Sequence, residues 1–400
     1  MKDLKVVMMG LGYIGLPTAA VIASEGIIVQ GVDVDQSVVN IINSGKIHIV
    51  EPELDGLVKN VVDEGFLLAS TTTVNANVFL IAVPTPFKGN YEPDLKYVES
   101  ATRMIIPKLR DGNLFIIEST SPVGTTDKMA EIIFEERPEL KGKIDIAYCP
   151  ERVLPGKVIY ELVNNDRVIG GIDEKSTKSA QNFYRNFVKG ELHPTNAKTA
   201  EMCKLVENSS RDVGIAFANE LSIICDKAGI NVWQLISLAN KHPRVNILQP
   251  GTGVGGHCIA VDPWFIVSEF LNEAKIIKKA REINDYKTDW VIEKIKSTAL
   301  QFELENNKKP ILALMGLSFK PDIDDLRQSP ALVVVDTFIN DNIYDLVLVE
   351  PNISSSKRYH LIDYKKASQQ SDIIIYLVAH KEFKSLTSQK IELDFCGVKK

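Results

Sequence analysis

LKVVMMGLGYIGLPTAAVIASEG, residues 4–26, decides the fold. Its first seven residues are a strand-sized apolar run that stops at Gly10. Apolar residues at helical spacing follow Gly15. Gly10, Gly12 and Gly15 have the GxGxxG spacing. That motif is weak alone, but here it follows a predicted strand and opens a predicted helix. In that setting the glycines let backbone N–H groups approach a pyrophosphate, and the helix N-terminus favours its charge. The alternative is a tight strand–helix turn without a ligand. IIVQGVDVD (27–35) is the next strand, and Asp33 closes it eighteen residues after Gly15. A carboxylate there accepts from an adenosine ribose hydroxyl and repels a 2′-phosphate, which points to NAD rather than NADP.

Outward from this unit, VFLIAVPTP (78–86), LFIIEST (114–120) and IDIAYCPERVLPG (144–156) read as further apolar strands ending in polar loops. Continuous apolar strands alternating with helices predict a parallel sheet covered on both faces. The pattern changes near Thr195. TAEMCKLVENSSRDVGIAFANELSIICDKAGI (199–230) is helical up to Gly229, and residues 231–241 and 274–301 are helical too. After ENNKKP (305–310), strands return in PILALMG, LVLVEP and DIIIYLVAH, with a helix in ALVVVDTFIN. The fold class is therefore α/β. Two Rossmann-like, doubly wound domains, 1–194 and 305–400, are expected to flank a helical domain, 195–304.

The 400 residues suit two or three domains. A net charge of −6, with no basic stripe interleaved with aromatics, argues against a nucleic-acid partner. The N-terminus lacks a signal-peptide pattern, and no apolar run reaches the roughly 18 residues of a membrane span. The five cysteines (149, 203, 225, 258, 396) are odd in number and without CxxC. They predict free thiols in a reducing cytoplasm, and no metal site.

One thiol has a distinctive setting. In GTGVGGHCIAVDP (251–263), Cys258 follows Gly255 and Gly256 and precedes Asp262 by four residues. Such glycines leave room for something to come close. Cysteine is often buried and inert. Beside a nicotinamide site, however, a thiolate adds to an aldehyde, and the thiohemiacetal loses hydride as an alcohol does. Both readings stay open. Lys204 and Asn208 lie one helical turn apart, with Arg211 three residues further on. That stripe is either a solvated face or a set of donors for an oxyanion or phosphate. Glu151 and Arg152 leave the end of a strand, where a carboxylate serves as a base or in a salt bridge.

Four ordered motifs together resemble the nucleotide-sugar dehydrogenases, the family of UDP-glucose 6-dehydrogenase. They are GLGYIGLP, AEMCKLVENS, GVGGHCIAVDP and GLSFKPDIDDLRQSP. GKIHIVEP, IAVPTPFKG, YCPERVLPG, NDRVIGG and HPRVNILQPG are similar to the branch that acts on UDP-N-acetyl-D-mannosamine. The resemblance implies that Cys258 is a nucleophile in a double oxidation at C6. It implies that Lys204 is an acid/base or oxyanion-stabilising residue, and that Thr120, Glu151, Asn208 and Asp262 handle water and protons. By the same match Arg152, Val153, Lys204, Asn208, Arg211, His242, Arg244, Gly255 and Lys320 contact the UDP-sugar. Gly10, Gly12, Tyr13, Ile14, Gly15, Asp33, Thr85, Thr126 and Arg327 contact NAD. It further implies a homodimer in which Arg244 reaches the partner subunit's site. The alternatives are the same reaction on UDP-N-acetylglucosamine or UDP-glucose, a single-step hydroxyacid-type dehydrogenase, and a non-catalytic NAD sensor.

Overall fold

The computed structural model describes residues 4–89, 91–154, 156–256 and 258–400. His257, beside the thiol, lies outside them. The chain forms two compact units that meet in sequence between Val206 and Glu207. That boundary falls inside the helix Ala197–Ala228.

The first unit contains β1 (Lys5–Met9), β2 (Ile28–Val32), β3 (Leu67–Ser70), β4 (Val78–Ile81), β5 (Phe87–Lys88), β6 (Glu92–Pro93), β7 (Leu114–Ile117), β8 (Asp145–Tyr148), β9 (Arg167–Gly171) and β10 (Leu192–Asn196). Eight of these build one sheet in the order β10-β9-β8-β7-β4-β1-β2-β3, while β5 and β6 pair with each other. Every neighbour in the large sheet is parallel except β8 with β9. Side chains alternate across a strand, so β1 feeds two cores. Val6 and Met8 join Leu16 and Ile22 on one face. Val7 and Met9 join Phe79 and Ile117 on the other. This two-sided burial is why β1, β4 and β7 are apolar at nearly every position.

The second unit carries β11 (Ile311–Met315), β12 (Asp345–Val349), β13 (Ile373–Tyr376) and β14 (Ile391–Asp394), all parallel, in the order β12-β11-β13-β14. Leu312 and Leu314 face one core, Ala313 and Met315 the other. The helices Val232–Ala239, Asp262–Glu269 and Lys275–Asn306 belong to the same unit. Gly229 ends the long helix at φ +68°, a left-handed position that glycine takes without strain.

Strand order reverses between β1 and β4 in the first sheet, and between β11 and β13 in the second. In open α/β sheets ligands bind at the carboxyl ends of the strands flanking such a reversal.

Candidate active site

The turn after β1 stands at the first reversal. Gly10 has φ +88°, and a Cβ there would lie 2.5 Å from the carbonyl oxygen of Ala82, just beyond β4. A Cβ on Gly15 would collide with the Gly10 carbonyl. Gly12 differs, because a Cβ there would meet nothing within 4 Å. Two glycines thus close the turn, and the third leaves its outer side open. Asp33 accepts the Leu11 amide at 3.0 Å and the Asp35 amide at 3.0 Å. The residues fit a dinucleotide: an open glycine rim at the start of the helix Gly15–Ser24, with a carboxylate at the end of the neighbouring strand. Tyr13 is exposed and Ile14 half-buried beside that rim.

Two more strand-end loops join here. Thr85 donates its hydroxyl to the Thr120 carbonyl at 2.7 Å, tying the loop after β4 to the loop after β7. Thr126 is fully buried. Its amide and hydroxyl both donate to the Glu201 carboxylate, at 2.8 and 2.6 Å, and Gly124 donates to the same group at 2.6 Å. Glu201 therefore caps the helix Thr125–Glu136 from the helix Ala197–Ala228, with its negative charge at the positive helix end.

Glu151 is buried, and its partners are specific. Oε1 accepts the Arg152 amide at 2.7 Å, and Oε2 lies 2.9 Å from Nη1 of buried Arg167. One of its oxygens thus has salt-bridge duty. The stretch GKIHIVEP supplies Glu51, whose carboxylate accepts from Gly156 and Val158 at 2.9 and 2.8 Å. Two of the stretches that resemble one branch of the family are therefore bonded to each other. Val153 is half-buried against the core between them, and Arg152 is half-buried. Lys204, on the long helix, is half-buried.

In the second unit Asn208 donates its side-chain amide to Asp262 at 2.5 Å. Asp262 is 3% exposed and begins the helix Asp262–Glu269. Cys258 is exposed, and its carbonyl accepts the amides of Val261 and Asp262 at 3.0 and 2.8 Å. The thiol loop thus folds directly onto the helix that carries Asp262. The other cysteines contrast with it. Burial pushes the Cys149 thiol up to about 12, and also raises Cys225 and Cys396.

The glycines of the thiol loop make room for the chain itself. A Cβ on Gly255 would collide with the Gln328 carbonyl, and one on Gly256 would sit 2.9 Å from the Phe319 ring. The loop between β11 and the helix Pro330–Asp341 therefore packs on them. That loop also holds Lys320, exposed, and Arg327, exposed, whose guanidinium forks onto Asp325 at 2.6–3.1 Å. His242 and Arg244 are exposed in a loop closed by Asn240, which bonds Ile247 through both amide and carbonyl at 2.9 and 2.8 Å. Arg211 is exposed.

Comparison with known proteins agrees with this architecture. Residues 4–188 match the NAD binding domain of the UDP-glucose/GDP-mannose dehydrogenase family, residues 198–286 its central domain and residues 313–396 its UDP binding domain. The chain belongs to the UDP-glucose/GDP-mannose dehydrogenase family. A relative named UDP-N-acetyl-D-mannosamine dehydrogenase, from Campylobacter jejuni, is 55% identical, covering 98% of this chain and 99% of its own. A relative named NDP-N-acetyl-D-galactosaminuronic acid dehydrogenase, from Ralstonia nicotianae, is 50% identical, with 96% and 93% covered. The structure of UDP-D-ManNAc dehydrogenase from Pyrococcus horikoshii superposes with a TM-score of 0.88 at 40% identity, covering 99% of this chain and 96% of that one.

In this dehydrogenase the meeting of several polar residues at the site escapes sequence reading. Glu118, Arg167 and Tyr184 share a buried cluster with Glu151. Glu118 did carry a signal, since like Asp33 it closes an apolar strand. Arg167 lies in NDRVIGG, one of the stretches similar to the branch that acts on UDP-N-acetyl-D-mannosamine, though nothing there marks its role, and Tyr184 sits in an ordinary helix pattern.

Proposed function

We propose that the chain oxidises C6 of UDP-N-acetyl-D-mannosamine from alcohol to carboxylate, consuming two NAD+ in succession. The 55% identity, end to end, with a relative of that name carries the choice of sugar. When bound, NAD+ supplies the hydride acceptor for both oxidations. Cys258 adds its sulfur to the aldehyde carbon, and the thiohemiacetal bears hydrogen and hydroxyl on that carbon as an alcohol does. Loss of the second hydride leaves a thioester, which water near Glu151 and Thr120 cleaves, returning the thiol and releasing the acid. Lys204 and Asn208 stabilise the negative oxygen at each addition. The contact with Asp262 uses one N–H of the Asn208 amide and orients the other. A fixed donor of this kind is worth about 100- to 1000-fold in rate.

The three-domain division at 194/195 and 304/305 belongs to this reading, as do the NAD and UDP-sugar contacts expected from the sequence. So does a homodimer in which Arg244 reaches the partner subunit's site. It is supported by apolar side chains left exposed on the long helix: Phe217 and Ile224, seven residues apart, are 52% and 55% exposed. We place the enzyme in the cytoplasm on its cysteine pattern, five widely spaced residues without CxxC. No helix among those residues is long and apolar enough to cross a membrane.

The test is NADH counted per sugar, with UDP-N-acetylmannosamine, UDP-N-acetylglucosamine and UDP-glucose assayed side by side. Two NADH per UDP-N-acetylmannosamine, and the highest kcat/KM for that sugar, are expected. One NADH per sugar would contradict the double oxidation. Asp33→Ala provides a separate check on the cofactor. The preference for NAD over NADP, taken as a ratio of kcat/KM, is expected to fall at least about tenfold, or about 1.4 kcal/mol. The ratio isolates what Asp33 does differently to the two cofactors, its bond to the ribose hydroxyl and its repulsion of a 2′-phosphate, from the loss of the Leu11 and Asp35 bonds, which affects both alike.

A further inference from the structure

Behind Glu151 the first unit buries two carboxylates around one guanidinium. Glu118 follows β7, Glu151 follows β8, and Arg167 begins β9. They are 2%, 8% and 3% exposed. Arg167 pairs with Glu151 at 2.9 Å and donates from Nη2 to the Leu162 carbonyl at 3.1 Å. Its guanidinium lies 5.2 Å from the centre of the Tyr184 ring. The Tyr184 hydroxyl donates to Glu118 Oε1 at 2.6 Å. Glu118 Oε2 has no hydrogen-bond partner among the described residues.

With both carboxylates ionised the cluster carries a net charge of −1, and a buried net charge is costly. One retained proton makes it neutral. Glu118 is the place for that proton, because Glu151 holds the direct ion pair while Glu118 has only a neutral hydroxyl. Burial pushes Glu118 up to about 7; Glu151 adds to the rise, and Arg167 and the Tyr184 hydroxyl oppose it. The other titratable groups facing it are Cys149 and Tyr184, both raised by burial and uncharged near neutral pH. The adjoining end of β4, Ile81–Val83, has no ionisable side chain.

We propose that Glu118 is a positioning residue for Glu151: the two carboxylates flank Arg167, Glu151 directly and Glu118 through Tyr184, and the proton on Glu118 decides how strongly Glu151 draws on water. The proposal rests on the reading of Glu151 as the group that handles hydrolytic water. While Glu118 is protonated, Arg167 is balanced by Glu151 alone. When Glu118 gives its proton to solvent, the cluster carries an excess negative charge beside Glu151. Glu151 then draws more strongly on the water that attacks the thioester. Only protons are exchanged in this control, and hydrolysis speeds up as pH rises through neutrality.

The experiment is single-turnover hydrolysis of the Cys258 thioester on full-length holoenzyme, between about pH 6 and about pH 8.5. The wild-type rate is expected to climb at least about threefold across that interval. Glu118→Gln keeps the neutral form and the Tyr184 bond, so its rate is expected to stay flat near the wild-type low-pH value. Tyr184→Phe removes a bond that stabilises the anion, so its climb moves to higher pH. A Glu118→Gln profile that superposes on wild type overturns the proposal, as does an unmoved climb in Tyr184→Phe. Mass spectrometry of the quenched enzyme separates the two ways of failing. A Cys258 adduct with unaltered pH profiles removes only the role of Glu118, whereas absence of any adduct removes the hydrolytic reading beneath it.

Discussion

Cys258→Ala is expected to lower turnover of the UDP-sugar by at least about a thousandfold and to prevent the second NADH from forming. The expectation rests on where the sulfur sits. Of the five cysteines it alone is exposed, while Cys149, Cys225 and Cys396 have thiols raised by burial. Its loop is fixed from behind: Phe319 and Gln328 occupy the room left by Gly256 and Gly255. Ahead of it, the Val261 and Asp262 amides close onto its carbonyl. A nucleophile held this way pays little to reach a near-attack position. Without the sulfur, the aldehyde has no route to an acyl-enzyme. Cys258→Ser is expected to form an oxygen ester that hydrolyses more slowly, visible as a stable mass increase on the protein. Cys149→Ala serves as the control, because loss of a buried inert thiol alters stability and leaves the NADH count at two. A Cys258→Ala enzyme that still yields two NADH at a near-normal rate would remove the covalent step.

The parts of this site that the sequence revealed are those whose physics is local. GxGxxG closed by Asp33 is a strand–turn–helix with its acceptor on the next strand, and each part is confined to a few residues. The long helix was readable because apolar spacing and a terminal glycine act over short range. What escaped reading depends on distant strands meeting. β10, LHPTN, carries Pro194 and pairs only with β9, so neither propensity nor alternation marks it. Glu118, Glu151, Arg167 and Tyr184 come from four separate elements, and no spacing predicts their meeting. The thiol loop shows a subtler gap. Its glycines make space, yet Phe319 and Gln328 occupy it, more than sixty residues away in sequence.

Asp212→Ala is expected to destabilise the second unit by roughly 1–3 kcal/mol, because it takes from the buried Arg281 guanidinium its one buried carboxylate and leaves only the half-exposed Asp285, at 2.5 Å. Asp212 is fully buried, and Arg281, 3% exposed on the side chain, donates to it at 2.7 Å. Asn284 donates to the same oxygen at 2.7 Å. From there the chain of bonds runs through Asn219, which donates to Asn284 at 2.9 Å and accepts from Gly251 at 2.9 Å. Gly251 opens the thiol loop, so helix–helix packing and the placement of Cys258 share one network. The two halves of the ion pair are not equivalent. An arginine cannot shed its charge, whereas burial already raises the Asp212 carboxyl, which can take up a proton when its partner is lost. Arg281→Met is therefore expected to cost less than Asp212→Ala. The double variant Asp212→Leu, Arg281→Met is expected to recover much of the loss, because matched apolar groups carry no desolvation cost. Urea unfolding of the four proteins measures all three differences. If Arg281→Met proved the more damaging, packing of the long arginine stem would outweigh its charge, and the network would act on the thiol loop through shape.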